Sequence, residues 1–240
     1  LYMQNIRGYD AIGAGIRTLP LTMAVMFVAP LAGRLNVKVG PAVLMGVGLT
    51  LSCIAMVGLR MLEVGSSYNA IWPFYLMLGS GIALTLPSAS AAAMGAIDPR
   101  KAGVGSGVLN AARQVGGALG IAILGSVSTA VTDRSWTTAV DTAGGALQQH
   151  AEQLRPLVEG AQIAVLVRVL QQQAPQAVDA VRGLAESAWM SGFHASVTAG
   201  AVIIGIGVVV VIVGSRGGPR TPPAGHRADS SDAPPLPAEL

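Results

Sequence analysis

The residues best equipped for chemistry in this sequence are Asn110, Arg113 and Gln114, which with Gly117 stand at spacings of three, four and seven within Gly103–Gly120. That spacing places all four on one face of a helix. Arg113 lies about ten residues, or roughly 15 Å, inside an apolar run. A charge at such depth in a membrane costs about 2.5–3.5 kcal/mol on insertion scales, so it must face protein or a wet cavity. Two readings stand side by side. Arg113 lines a transport path or pairs with an acid, or it satisfies backbone carbonyls of a neighbouring helix.

Other reactive side chains carry weaker signals. His194 shares a face with Ser191 and Thr198, which fits a proton relay or an interfacial histidine. Arg17 is close enough to a helix end to snorkel to headgroups. Cys53 is a single thiol in an apolar run, unable to form an internal disulfide, and is read as a small hydrophobe. Gly103-x-Gly105-x-Gly107 follows no strand and precedes no Lys-Ser/Thr, so it is not a phosphate loop. Gly103 and Gly107, then Gly116 and Gly120, repeat at four, the pattern that lets helices approach closely. No hydrolase triad, metal cluster or phosphate loop is seen, so neither an enzyme nor a cofactor is expected.

The elements that must hold these residues follow from charge. The 240 residues include only 15 basic and 12 acidic ones, 52% are hydrophobic, and the mean hydropathy is +0.57. Arg17 and Arg113 are the only charges in segments 13–33, 41–59, 71–94, 103–131 and 189–214, which hold about half the chain. Each segment reaches the roughly 20 apolar residues of a membrane helix. The fold class is therefore all-α integral membrane, with five transmembrane helices. Pro20 and Pro30 should bend the first, whose Met23, Met26 and Phe27 share a side. The third is rich in small residues, Gly79, Ser80, Gly81, Thr85, Pro87, Ser88 and Ser90 among them.

The domain reading is four-part. Residues 1–131 carry helices one to four, 132–188 an external amphipathic helical loop, 189–214 the fifth helix, and 215–240 a disordered tail holding six of the 14 prolines. Basic residues decide orientation. Arg34 and Lys38, Arg100 and Lys101, and Arg216, Arg220 and Arg227 fall on one side, which the positive-inside rule makes cytoplasmic. Leu1 is then outside and Leu240 inside a plasma membrane. All aromatics except Phe27 gather at the outer boundary, a one-sidedness the interfacial-belt rule does not explain. Scattered arginines at membrane edges, despite a net charge of +3, give no nucleic-acid face.

A family resemblance rests on Leu1-Tyr2-Met3-Gln4, Arg7-Gly8-Tyr9, Ala14-Gly15, Pro20, Ala29-Pro30-Leu31-Ala32-Gly33-Arg34-Leu35 and Gly40-Pro41. It continues through Asn110-Ala111-Ala112-Arg113-Gln114-Val115-Gly116-Gly117 and Gly192-Phe193-His194. Together these resemble the C-terminal part of the fourteen-helix drug:proton antiporter branch of the major facilitator superfamily, the EmrB/QacA-like exporters, over roughly 1–130 and 187–213. The resemblance implies a C-terminal six-helix bundle lacking its first helix, with an external helical insertion. The missing N-terminal half is then a partner, alongside membrane lipids. It implies proton-coupled multidrug or small-molecule efflux by alternating access from the bacterial inner membrane, with protons and a hydrophobic or cationic compound as cargo. The third helix, with Thr85 and Ser88, would line the cavity. The first, with Met23 and Met26, and the fourth, with Asn110, Arg113 and Gln114, would flank it. The second and fifth would face lipid.

Gly33, Arg34, Lys38 and Gly40 resemble the family's cytoplasmic gating loop, but Val37 stands where an acid is usual and Lys38 where an arginine is. No Asp or Glu lies in the five segments, so the proton-binding carboxylate is expected elsewhere. The other readings are a non-transporting membrane protein whose 132–188 segment binds a partner, and an inactive truncated product.

Overall fold

The computed structural model describes residues 9–143, 154–160, 162–173 and 178–217. Part of the expected 132–188 segment, at 144–153, 161 and 174–177, and the expected tail beyond Gly217 lie outside them, as do residues 1–8. Helices are α1 (Ala11–Val39), α2 (Pro41–Leu59), α3 (Tyr68–Gly95), α4 (Ala102–Ala143), α5 (Ile163–Gln173) and α6 (Val178–Gly217), with a 3₁₀ turn at Pro99–Lys101 before α4. Five of them, all but α5, are long and apolar enough to cross a membrane. The chain is an all-α, multi-pass membrane protein.

Local chemistry explains the ends. Asp10 caps α1 by accepting from the Gly13 N–H at 2.9 Å. Helix α1 runs unbroken through Pro20 and Pro30 to Val39. The region expected as a loop from Gly33 to Gly40 is therefore mostly the last two turns of α1. A single residue, Gly40 (φ 89°, ψ 148°), joins α1 to α2. That backbone conformation favours glycine, and Pro41 at the first position of α2 supplies a pre-set helical φ.

Helix α3 packs along both α1 and α2, α2 along α6, and α6 along α4, while α3 and α4 barely touch. Glycines make the close approaches. A Cβ at Gly48 would sit 2.5 Å from Thr85 Oγ1 and 2.7 Å from the Gly81 carbonyl. One at Gly79 would meet the Leu21 carbonyl, and one at Gly58 the Phe74 ring. Gly192 plays this part between α6 and Ser128 and Thr132 of α4. Without a hydrophobic drive between helices in lipid, such contacts supply dispersion that larger residues would prevent. The expectation for Gly103, Gly107, Gly116 and Gly120 is not met within this chain. No atom lies within 4 Å of a Cβ at any of them, because no helix described here packs on that side of α4. No residue of α4 before Thr132 is buried.

Helices α4 and α6 contain 42 and 40 residues, about 60 Å each and twice a hydrocarbon core. The boundaries drawn at 131/132 and 188/189 thus fall inside continuous helices. Their projecting ends, residues 154–159 and α5 form a cap built around buried apolar side chains. Trp136 and Val140, Leu154 and Val158, Ile163, Leu166 and Leu170, and Val181, Ala185 and Trp189 are all buried there. The α5 positions recur at three and seven, so one stripe meets the others. Arg155 stands 2.6 Å from Asp133, an ion pair by distance rather than an aligned hydrogen bond, and donates to Glu159 at 3.1 Å. Arg182 donates to Glu186 at 2.7 Å, and that bond and charge raise the guanidinium pKa.

The aromatic one-sidedness acquires a cause here. Tyr9, Tyr68, Phe74, Tyr75, Trp136, Trp189 and Phe193 belong to one hydrophobic cluster joining the cap to the ends of α1, α2 and α3. They are core rather than girdle. Trp72, at 41% exposure, is an exception.

Candidate functional site

The polar face of α4 is held in place by one tether. Arg113 Nη2 donates to Ser90 Oγ and, at 3.5 Å, to the Leu86 carbonyl, both on α3. Ser90 itself donates back to Leu86 O at 2.8 Å. The guanidinium thus has neutral acceptors on the neighbouring helix, and among the described residues it makes no ion pair. Arg113, Asn110, Gln114 and Gly117 are all exposed. Asn110 and Gln114 make no hydrogen bond among the described residues. Arg113 therefore keeps spare donors on a face open to whatever occupies the space beside α4. Ser90 was visible in the sequence only as one small residue among many. The signal that marks it is its spacing of four from Leu86, which puts hydroxyl and carbonyl within reach of one guanidinium nitrogen.

The remaining path candidates separate. Thr85 donates to the Gly81 carbonyl at 2.7 Å and lies against Gly48 of α2. Ser88 is fully buried, 2.6 Å from the Leu84 carbonyl and 2.9 Å from Asn36 Oδ1. One hydroxyl proton cannot serve both acceptors, so the Asn36 amide is better turned with its nitrogen donating to Ser88. Thr85 and Ser88 thus sit in the α3–α2 and α3–α1 contacts. Met23 (50%) and Met26 (72%) stand exposed on α1 beside Phe27, flexible thioethers on an open face. Arg34 and Lys38 are exposed on the last turns of α1, where basic groups suit the negative helix end, and Val37 is 88% exposed. Gly33 meets nothing within 4 Å.

At the cap end, Arg17 lies 3.7 Å over the Tyr9 ring and donates to the Gly13 carbonyl at 3.1 Å. Tyr68 donates to the Arg17 carbonyl at 3.1 Å, locking α3 to α1. This cation–π seat gives the guanidinium a partner within the protein. His194 Nε2 meets the Leu62 carbonyl at 2.7 Å, which makes it the donor in the neutral ring and ties α6 to the turn after α2. Cys53 Sγ lies 3.5 Å from the Ala201 carbonyl.

Residues 1–121 match the family described as the Major Facilitator Superfamily. The chain is 37% identical over 158 residues to the multidrug resistance protein Stp of Mycobacterium tuberculosis, covering 65% of this chain and 27% of that protein. It is 32% identical over 124 residues to the tetracenomycin C resistance and export protein of Streptomyces glaucescens, covering 52% and 23%. It is 29% identical over 173 residues to the methyl viologen resistance protein SmvA of Salmonella typhimurium, covering 72% and 34%. The matched stretch is about a third or less of each relative's length.

Proposed function

The chain belongs to the Major Facilitator Superfamily, and from that premise we propose that it forms the C-terminal part of a bacterial inner-membrane efflux transporter for drugs or other small molecules. It works by alternating access, moving hydrophobic or cationic compounds outward against entering protons. The observation that carries this reading is the similarity to proteins named for drug resistance and export, together with the family match over residues 1–121, which includes Arg113. Transport rather than catalysis is the activity such a membrane bundle supports. Arg113, Asn110 and Gln114 on α4, with Met23 and Met26 on α1, form the open faces that support a substrate path. Thr85 and Ser88 support that path from inside the helix contacts. Arg34, Lys38, Gly33 and Gly40 form the cytoplasmic gate at the α1–α2 turn.

No Asp or Glu lies in the apolar part of any of the five spans. The carboxylate that exchanges the proton belongs to the N-terminal half of the transporter, the partner of this chain. Inverted repeats place the binding site between two such halves.

The test is efflux of a fluorescent lipophilic cation from cells expressing the intact natural protein. Efflux should stop when a protonophore collapses the gradient, and Arg113→Ala should cut it about tenfold or more. Efflux indifferent to the protonophore would remove proton coupling. Unchanged efflux in Arg113→Ala would remove that residue's role. A second reading, that residues 132–188 bind a partner, draws on the folded helical cap that the described residues of this segment form. It expects deletion of the cap to abolish function while Arg113→Ala and Asn110→Ala do not.

A further inference from the structure

A second polar cluster lies away from Arg113, where α2 and α6 meet beneath the cap. Arg60, the residue after α2, donates from Nη1 to Thr198 Oγ1 at 2.6 Å, and Thr198 donates to the His194 carbonyl at 2.6 Å. With His194 bound to Leu62 O, these contacts fix the Arg60 head beside α6. Next to it an open groove runs along α6 past Ala195, Ala199 and Val202 and continues against Met56 and Cys53 of α2.

Depth, charge and shape point to one occupant. Helix α2 has 19 residues, about 28 Å, which matches a hydrocarbon core of about 30 Å. With the Gly40–Pro41 turn at one interface, Arg60 reaches headgroup level at the other. It is exposed, makes no ion pair among the described residues, and uses one of its five N–H donors in a side-chain bond. It is the one charged residue lining the groove. A guanidinium fork suits phosphate oxygens in a bidentate pair. Below it, the alanines at 195 and 199 leave an open slot with mainly apolar walls, which suits an acyl chain.

We propose that this groove is a binding site for one anionic phospholipid, with its phosphate on Arg60 and an acyl chain along Ala195, Ala199 and Val202. The bound lipid then bridges α2, the turn after it and α6. The site depends only on the chain spanning a bilayer and stands whether or not the transport reading does.

The test is native mass spectrometry of the intact natural protein released from bilayers of equal phosphatidylglycerol and phosphatidylcholine. One phosphatidylglycerol should be retained in preference. Arg60→Gln should weaken its retention about tenfold, the size of one lost charge-assisted bond. Arg60→Lys, which keeps the charge but not the fork, should keep part of it, more than Arg60→Gln does, and Arg34→Gln at the opposite membrane face should change nothing. Ala199→Phe, which fills the slot and leaves Arg60 in place, should also lose the lipid. If that variant melts early, the Arg60→Gln and Arg60→Lys pair decides. Glycerol phosphate at millimolar concentration should not displace the lipid. Equal retention of the two lipids, unchanged retention in Arg60→Gln, or displacement by glycerol phosphate alone would each overturn the proposal.

Discussion

Arg113 shows how much one side chain depends on its partner geometry. Its reach from α4 to the hydroxyl of Ser90 and the carbonyl of Leu86 is the one side-chain hydrogen-bond link between α3 and α4 among the described residues. A lysine keeps the charge but offers three N–H donors on one nitrogen in place of five spread over a planar guanidinium, so with Ser90 and Leu86 held it has fewer donors left for the open face. Arg113→Lys should therefore restore only part of the efflux lost in Arg113→Ala. Ser90→Ala should cost about 1 kcal/mol, the net worth of one hydrogen bond, read as a lower melting temperature of the purified intact protein. Equal efflux in the lysine variant and the natural protein would mean that charge alone matters at this position.

At the scale of elements, glycine position decides which helices touch. The α4 glycines, repeating at four, look like close-packing signals in the sequence, whereas α3 reads only as rich in small residues. Only Gly79 and Gly81 of α3 have another helix against them here, because α1 and α2 flank α3 on both sides. Gly81→Val should drive a side chain into Ser52 and the Gly48 carbonyl, lowering stability by about 1–3 kcal/mol or more. Gly107→Ala should be neutral, or stabilising by up to about 1 kcal/mol, in this chain, where nothing lies within 4 Å. Thermal unfolding of the purified chain in a bilayer mimetic checks both. A large loss in Gly107→Ala would reveal a contact on α4 that the described residues do not make. The α1–α2 connection was only partly legible. Gly40-Pro41 marks a turn, but the continuation of α1 through Arg34, Asn36 and Lys38 was hidden by their polarity, which read as loop.

For the whole molecule, the cap is the feature with the most consequence. Because α4 and α6 run unbroken from the membrane into it, the cap is a rigid continuation of two spans rather than a loop hung between them. Trp136 is 2% exposed at its centre. Trp136→Ala should cost about 3–5 kcal/mol and speed amide hydrogen exchange in α5 and the start of α6, leaving α1 to α3 as protected as before. Uniform loosening of all helices would show that the cap and the membrane bundle unfold as one. Orientation has its own test. With Cys53→Ser as background, Thr142→Cys in the cap should react with a membrane-impermeant thiol reagent on intact cells, and Lys38→Cys only after permeabilisation. The reverse pattern would invert the proposed topology.

Charge and hydropathy alone determined that this is a five-span α-helical membrane chain. The scarcity of ionic groups over five stretches of about twenty residues leaves a bilayer no other solution, since each span must satisfy its own backbone. The Asn-x-x-Arg-Gln-x-Gly-Gly face was legible for the same reason: a lone arginine deep in an apolar run stands out whatever surrounds it. Which groups Arg113 meets, which glycines are covered, and why the aromatics crowd one end were decided only by tertiary structure. Those answers depend on contacts between residues far apart in the chain, such as Trp136 with the cap core and Ser88 with Asn36. Periodicity along one helix says which residues share a face but not what that face will meet.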